Sequence, residues 1–272
     1  MCVPDVRADF GLGHLFRQCT LVNLLCERGR NAILVLPEEP NRDRAWQQCL
    51  ASRIESERVL RCTDARSVLC DPGIHCYVVI DSYDYEHTLA TVGLHPTRDA
   101  LAVFDDLAYE RNYPANVIPV IPNICSREQQ DRMAESREPG QPAHVHGSHY
   151  VLINPEFVLS PAERPAVLAR RQRRIAACTD RQRPLVVLIG FGGSPDALPQ
   201  DESRAHLGAM LQHMYQQCGE VELRCLGNAA VVLCAELGRP AQSLGWLDVA
   251  KLRQAYLDAD IYLGAIGYSM WE

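Results

Sequence analysis

The sequence predicts an α/β protein of two successive Rossmann-like domains, each built on a parallel sheet. Three observations lead there. Short apolar runs alternate with stretches of helical periodicity, the pattern of a parallel sheet covered by helices. The alternation comes in two series, separated by a polar, arginine-containing connector. Glycine-rich turns directly follow several apolar runs, where a strand should end and a helix begin. Ligands bind at such positions in open parallel sheets. The first domain is taken as residues 1–165 and the second as 180–272.

The elements of the first series follow in order. A stunted strand with Pro4 inside it precedes the turn Gly11-Leu12-Gly13-His14. Leu15, Cys19, Val22, Leu25 and Cys26 recur at three- and four-residue steps, which predicts a helix over 15–28 with Gly29 as its stop. Residues 31–36 form a buried strand ended by Pro37, and 44–56 suggest another helix. The runs 76–80, 101–104 and 117–121 are strands. Asp81-Ser82-Tyr83 and Asp105-Asp106 stand at the ends of the first two, and Asn123 follows the third. Residues 126–149 are polar and read as a helix followed by a long loop, with a short apolar run after them at 150–153.

Residues 158–183 form a connector that is partly helical. The second series has strands at 185–189, 221–226 and 260–264. Helices are expected near 203–216, 229–236 and 248–257. Gly190-Phe191-Gly192-Gly193-Ser194 follows the first of these strands, and Gly267-Tyr268-Ser269-Met270-Trp271-Glu272 follows the last.

Composition bounds the function. The chain has 272 residues, 47% hydrophobic and 22% charged, as in an ordinary globular protein. A net charge of −7 argues against a general nucleic-acid binder, which needs a concentrated positive field. The 12 cysteines form no Cys-x-x-Cys pair and many lie in apolar runs, so reduced, mostly buried thiols in a cytoplasmic protein are expected. No apolar run approaches the ~18 residues that span a membrane. No membrane partner and a monomeric state are expected.

The motifs carry the chemistry. Glycines at a strand-to-helix turn let the backbone approach a ligand closely. The helix that follows directs its N–H groups and positive end toward that ligand. His14 at this turn can act as a base near neutral pH, or can simply cap the turn. Gly192, Gly193 and Ser194 offer backbone amides and a hydroxyl suited to a diphosphate. Glu272 can accept hydrogen bonds from a ribose diol, or can be an ordinary first-turn acid. Asp81 and Asp105 can bind sugar hydroxyls, orient a base, or cap turns. Asp105-Asp106 lacks further ligands at convincing spacing, and His144, His146 and His149 read as solvated, so no metal is expected.

Taken in order, these pieces resemble the PseG-like UDP-sugar hydrolases of pseudaminic acid biosynthesis, relatives of the MurG-type glycosyltransferases. The resemblance rests on Arg7, Asp9 and Gly11-x-Gly13-His14-x-x-Arg17, on Asp81-Ser82-Tyr83, and on Phe104-Asp105-Asp106-Leu107-Ala108 with Asn123 beyond it. It continues through Gly147-x-x-Tyr150-x-Leu152-x-x-x-Glu156-Phe157, Gly192-Gly193-Ser194 and Gly267-x-Ser269-x-x-Glu272. It implies a GT-B-like fold. It also implies hydrolysis of UDP-2,4-diacetamido-2,4,6-trideoxy-β-L-altropyranose to UDP and free sugar, with inversion and without a metal or other cofactor. His14 would be the catalytic base. Asp9, Gly13, Arg17, Tyr83 and Asn123 would face the sugar. Gly192, Gly193, Ser194, Gly267, Ser269 and Glu272 would hold UDP.

Departures from the family pattern accompany the resemblance. The loop from Arg7 to Gly11 is short, Asn154 stands where the family has arginine, and Pro195 follows Ser194. The family pattern also runs on past Glu272, so the second domain is expected to be incomplete. Two alternatives stay open at this point: a GT-B glycosyltransferase using a UDP-sugar donor, and an inactive nucleotide-sugar-binding remnant.

Overall fold

The computed structural model describes residues 1–6, 13–36, 54–62, 76–82, 84–93, 101–105, 113–122, 125–135, 140, 143–191, 201–245 and 247–264. The chain divides into two compact units, Met1–Ile153 and Asn154–Glu272.

The first unit carries a seven-stranded parallel sheet. Its strands are β1 (Cys2–Pro4), β2 (Leu34–Leu36), β3 (Val59–Arg61), β4 (Val78–Asp81), β5 (Leu101–Phe104), β6 (Val117–Ile121) and β7 (Val145–His146). They lie in the order β3-β2-β1-β4-β5-β6-β7. Winding therefore runs outward from β1 to β3, then resumes at β4 on the other side of β1. The point where the direction reverses lies between β1 and β4.

Pro4 sits at the last position of this central strand. A proline has no N–H, so it is poorly suited to a strand interior. Alternation along the strand points that missing N–H toward β2, because Cys2 N donates to Ile33 O on that side. The β1–β2 pairing has already ended there, with Cys2 opposite Leu34 its registered pair. On the other side Asp5 N still donates to Asp81 O at 2.8 Å, so β1 and β4 stay joined to their ends.

Helix α1 (Gly13–Glu27) follows β1. Its Leu15, Cys19 and Val22 pack with Cys2, Leu34 and Leu36 on one face of the sheet. Gly29 ends it in a left-handed conformation (φ 71°), and Arg30 N reaches back to Leu25 O. Helix α2 (Tyr85–Val92) is capped by the Asp84 side chain, which accepts from His87 N. Its Tyr85, Leu89 and Val92, with Met133 of α3 (Arg127–Glu135), pack with Val3, Val35 and Ile80 on the opposite face. The run 150–153 is not a strand. The strand in this region is β7, and a 3-10 turn at Ser148–Tyr150 follows it.

The second unit carries β8 (Leu185–Gly190), β9 (Val221–Leu226), β10 (Ala241–Gly245) and β11 (Ile261–Gly264), all parallel, in the order β10-β9-β8-β11. Every residue of β8 is buried, as its unbroken apolar run requires. Helices α4 (Glu163–Thr179), α5 (Asp201–Cys218) and α6 (Gly227–Glu236) supply Cys178, Leu207, Leu211 and Leu233 to one core with Val187 and Ile189. Helix α7 (Val249–Asp258) packs with Leu188, Leu226 and Tyr262 on the other face. The winding reverses between β8 and β11. The α/β architecture with two parallel sheets is the one the sequence predicts, and the connector helix α4 belongs with the second unit.

An ion-paired latch ties this unit together at the opposite, amino end of β11. Asp260 accepts from Val186 N at 2.8 Å, and its carboxylate pairs with Arg183 at 2.9 Å and Arg174 at 3.2 Å. Burial raises the Asp260 pKa, but the bonds from Arg183 and Val186 outweigh it and hold the carboxyl below its ordinary value. This latch lies at the wrong end of the strands for a ligand and is structural.

Candidate active site

In the first unit the reversal between β1 and β4 brings the amino end of α1 beside the carboxyl end of β4. Residues three and four apart on a helix share a face. His14, Arg17 and Gln18 of α1 therefore reach one target together, the Asp81 carboxylate at the end of β4. His14 Nδ1 lies 2.5 Å from Asp81 Oδ1. Arg17 donates from Nη2 to the same oxygen at 2.5 Å and from Nε to Oδ2 at 2.6 Å. Gln18 Nε2 donates to Oδ2 at 3.2 Å. Asp81 and Gln18 are 0% exposed, Arg17 3% and His14 7%.

Burial pushes the Asp81 carboxyl up. The charges of Arg17 and His14 and their hydrogen bonds more than reverse that, and its pKa falls to about 2. At neutral pH Asp81 is thus a carboxylate and can only accept. The proton in the His14–Asp81 bond must then belong to Nδ1. In the neutral ring this leaves the lone pair on Nε2, the tautomer a general base needs. The Arg17 guanidinium also lies 5.5 Å from the centre of the Phe104 ring, which holds it from another side. Gln18 Oε1 is a buried acceptor with no hydrogen-bond partner among the described residues. Turning that amide over would set its oxygen against the carboxylate, so the orientation is fixed by charge.

A second network fixes the exits of β1 and β4. Ser82 Oγ donates to Asp5 Oδ2 at 2.8 Å and accepts from Thr88 Oγ1 and Asp84 N, each at 2.9 Å. At the end of β5 the Tyr113 hydroxyl donates to Asp105 Oδ2 at 2.5 Å. Three strands in a row, β1, β4 and β5, thus end on buried carboxylates that are bonded within the protein. Among the described residues no group of three His, Cys, Asp or Glu could hold a metal ion. His146 lies on β7 and His149 in the turn after it.

The structure places the sequence-predicted residues unevenly. His14 and Gly13 stand in the first turn of α1. Arg17, expected to face the sugar, commits Nε and Nη2 to Asp81 and acts through that carboxylate. Asp9, Tyr83 and Asn123 lie outside the described residues, as do Gly192, Gly193, Ser194, Gly267, Ser269 and Glu272. In sequence these last six begin two residues after β8 and three after β11, the two strands that flank the reversal in the second sheet. Asp81 and Gln18 complete this cluster, and Gln18 is the member that no motif includes. The signal for Gln18 was available, because it stands four residues after His14 on the same helical face.

Comparison with models of known protein families and with curated proteins gives no match. Among the described residues no helix is long and apolar enough to cross a membrane.

Proposed function

We propose that this chain is a nucleotide-sugar hydrolase of the PseG-like type, acting on a UDP-activated 2,4-diacetamido-2,4,6-trideoxy sugar. The observation that carries the reading is the His14–Asp81 pair. An imidazole held by a buried carboxylate, with its lone pair on Nε2, stands where open parallel sheets bind ligands. The order of the glycine, serine and glutamate motifs after β8 and β11 supplies the nucleotide half of the proposal.

In the proposed step a water attacks the anomeric carbon, the carbon–oxygen bond to UDP breaks, and UDP departs with the bonding pair. His14 Nε2 takes the proton that the water loses. Asp81 keeps the ring in place and stabilises the imidazolium that forms. Arg17 and Gln18 are positioning residues that hold Asp81. A positioned base contributes about 10²–10⁴-fold, so leaving-group stabilisation supplies the rest. The resemblance also carries the expectation of no metal, while the expectation of a cytoplasmic protein rests on the cysteine usage.

The test is incubation of the protein with a panel of UDP-sugars and no acceptor, followed by NMR of the phosphorus and anomeric signals. Free sugar of inverted configuration and UDP in equal amounts are expected from the diacetamido substrate. Product formed only when an acceptor is added makes the chain a glycosyltransferase. No turnover of any member leaves a binding protein and ends the hydrolase reading.

A further inference from the structure

Helix α4 is attached by one face and open to solvent along another. Cys178 is buried in the core of the second unit, and Val167, Arg170, Arg174 and Ala177, at three- and four-residue steps, are partly buried on the same side. Arg174 completes the attachment by pairing with Asp260 at 3.2 Å. About a third of a turn round the helix stand Leu168 and Ile175, 50% and 48% exposed. Single exposed apolar residues are ordinary. These two are seven positions apart in sequence, which sets them on one line two turns apart.

The solvent side of α4 repeats with that period. Arg164 and Arg171 precede Leu168 and Ile175 by four residues, and Ala169 and Ala176 follow them by one. All of these side chains are exposed. The apolar line is therefore flanked by arginines on one side and by small residues on the other. A repeat of seven that sets charges beside an apolar line is one half of a helix–helix seam. The alanines leave room for a second helix to come close, since the distance between packed helices follows the side chains at their contact.

Charge defines what the seam accepts. No acid stands between Arg164 and Thr179, in a chain whose net charge is −7. Arg132 and Arg204, on other helices, each pair with a glutamate of this chain. Among the described residues neither Arg164 nor Arg171 pairs with an acid. Cations at helical spacing are complemented by acids at the same spacing on a partner. The α4 helix of a second copy brings arginine again, and its one acid, Glu163, is already paired with Arg253 at 3.2 Å. A bilayer surface takes a broad apolar face, and two large side chains give it little to hold.

We propose that the solvent face of α4 is a docking site for an acidic amphipathic helix of a partner protein. The partner's apolar line packs on Leu168 and Ile175, and its carboxylates pair with Arg164 and Arg171. This contact does not depend on the nucleotide-sugar reading.

Fluorescence anisotropy tests it with a labelled synthetic peptide of about three heptads, Leu at the a and d positions and Glu at e and g, kept dilute enough to be monomeric. A second peptide carries Lys in place of those Glu. The wild-type protein should bind the acidic peptide reversibly, in the micromolar range of a small interface, and should not bind the basic one. Arg164→Glu with Arg171→Glu should weaken the acidic peptide about tenfold or more and bind the basic one instead. Leu168→Ser with Ile175→Ser should weaken the acidic peptide about tenfold with the charges intact. All four positions are exposed, so each variant should keep the wild-type thermal midpoint. A wild type that does not bind the acidic peptide overturns the inference. Equal binding by the wild type and both variants overturns it too, since the peptide would then sit elsewhere on the chain. Sedimentation of the wild type with vesicles of phosphatidylglycerol and phosphatidylcholine, lost on charge reversal, overturns it in favour of a lipid surface. Dimerisation of the wild type, lost in the same variant, overturns it in favour of a second copy.

Discussion

Asp81→Asn removes one charge from the centre of the site while nearly keeping its shape. In the native protein the buried carboxylate receives four hydrogen bonds from three side chains of α1. Its pKa of about 2, against an ordinary 3.8, corresponds to ~2 kcal/mol in favour of the ionised form in the folded state. Because the folded pKa is the lower one, this stability is present above about pH 4 and is lost as the pH falls toward about 2. About half of it, ~1 kcal/mol, goes between about pH 5 and about pH 3. The variant has no carboxyl and lacks that dependence. It also leaves the buried Arg17 without its counter-charge, a defect of about 3–5 kcal/mol when nothing replaces the partner. The amide oxygen recovers part of this, so a loss of about 3 kcal/mol at neutral pH is expected.

Urea unfolding of both proteins across that pH range measures these quantities. The gap between them should narrow by ~1 kcal/mol on going from about pH 5 to about pH 3. A gap that stays constant, or one under ~1 kcal/mol at neutral pH, refutes an ionised Asp81 beneath a buried guanidinium. In a UDP-release assay the same variant should lose on the order of 10²–10⁴ in kcat, because the ring loses the charge that fixes its tautomer and stabilises imidazolium.

Two further outcomes follow from the geometry. Nitrogen NMR of the neutral His14 ring should show the proton on Nδ1 and none on Nε2, and the opposite tautomer would contradict the bond to a carboxylate. Leu233→Ala empties a fully buried position between α6 and β8, and denaturant unfolding should report a loss of about 2–5 kcal/mol. A loss under ~1 kcal/mol would mean that the core of the second unit is not packed there as described.

Much of the fold was legible because buried strands write themselves as apolar runs. Residues 101–104, 117–121 and 221–226 were read with the bounds they have in the structure. The strands that escaped notice are β3, β7 and β10, and all three are sheet edges. An edge position alone does not hide a strand, since the edge β11 carries Ile261-Tyr262-Leu263; Ala241–Gly245, by contrast, is half exposed and largely polar or small, and so shows no apolar run. The helix 44–56 falls almost wholly outside the described residues.

The site was legible in its centre and less so in its connections. His14 stood out because a glycine turn preceded it and a helix followed. Asp81 was one of several carboxylates at strand ends, each able to bind sugar, orient a base or cap a turn. Only the strand order, with β4 beside β1, tells which carboxylate the helix meets. A residue sixty-seven positions away in sequence gives no local sign of that pairing. The role of Arg17 is hidden for the same reason, since nothing local distinguishes a guanidinium facing solvent from one facing a buried acid.

The most direct measurement compares UDP release by the wild-type protein and by His14→Gln, from the UDP-diacetamido sugar without acceptor, with UDP affinity recorded for both. The account predicts turnover by the wild type, a loss on the order of 10²–10⁴-fold in the variant, and equal UDP binding. Hydrolysis at the same rate in both proteins would contradict it.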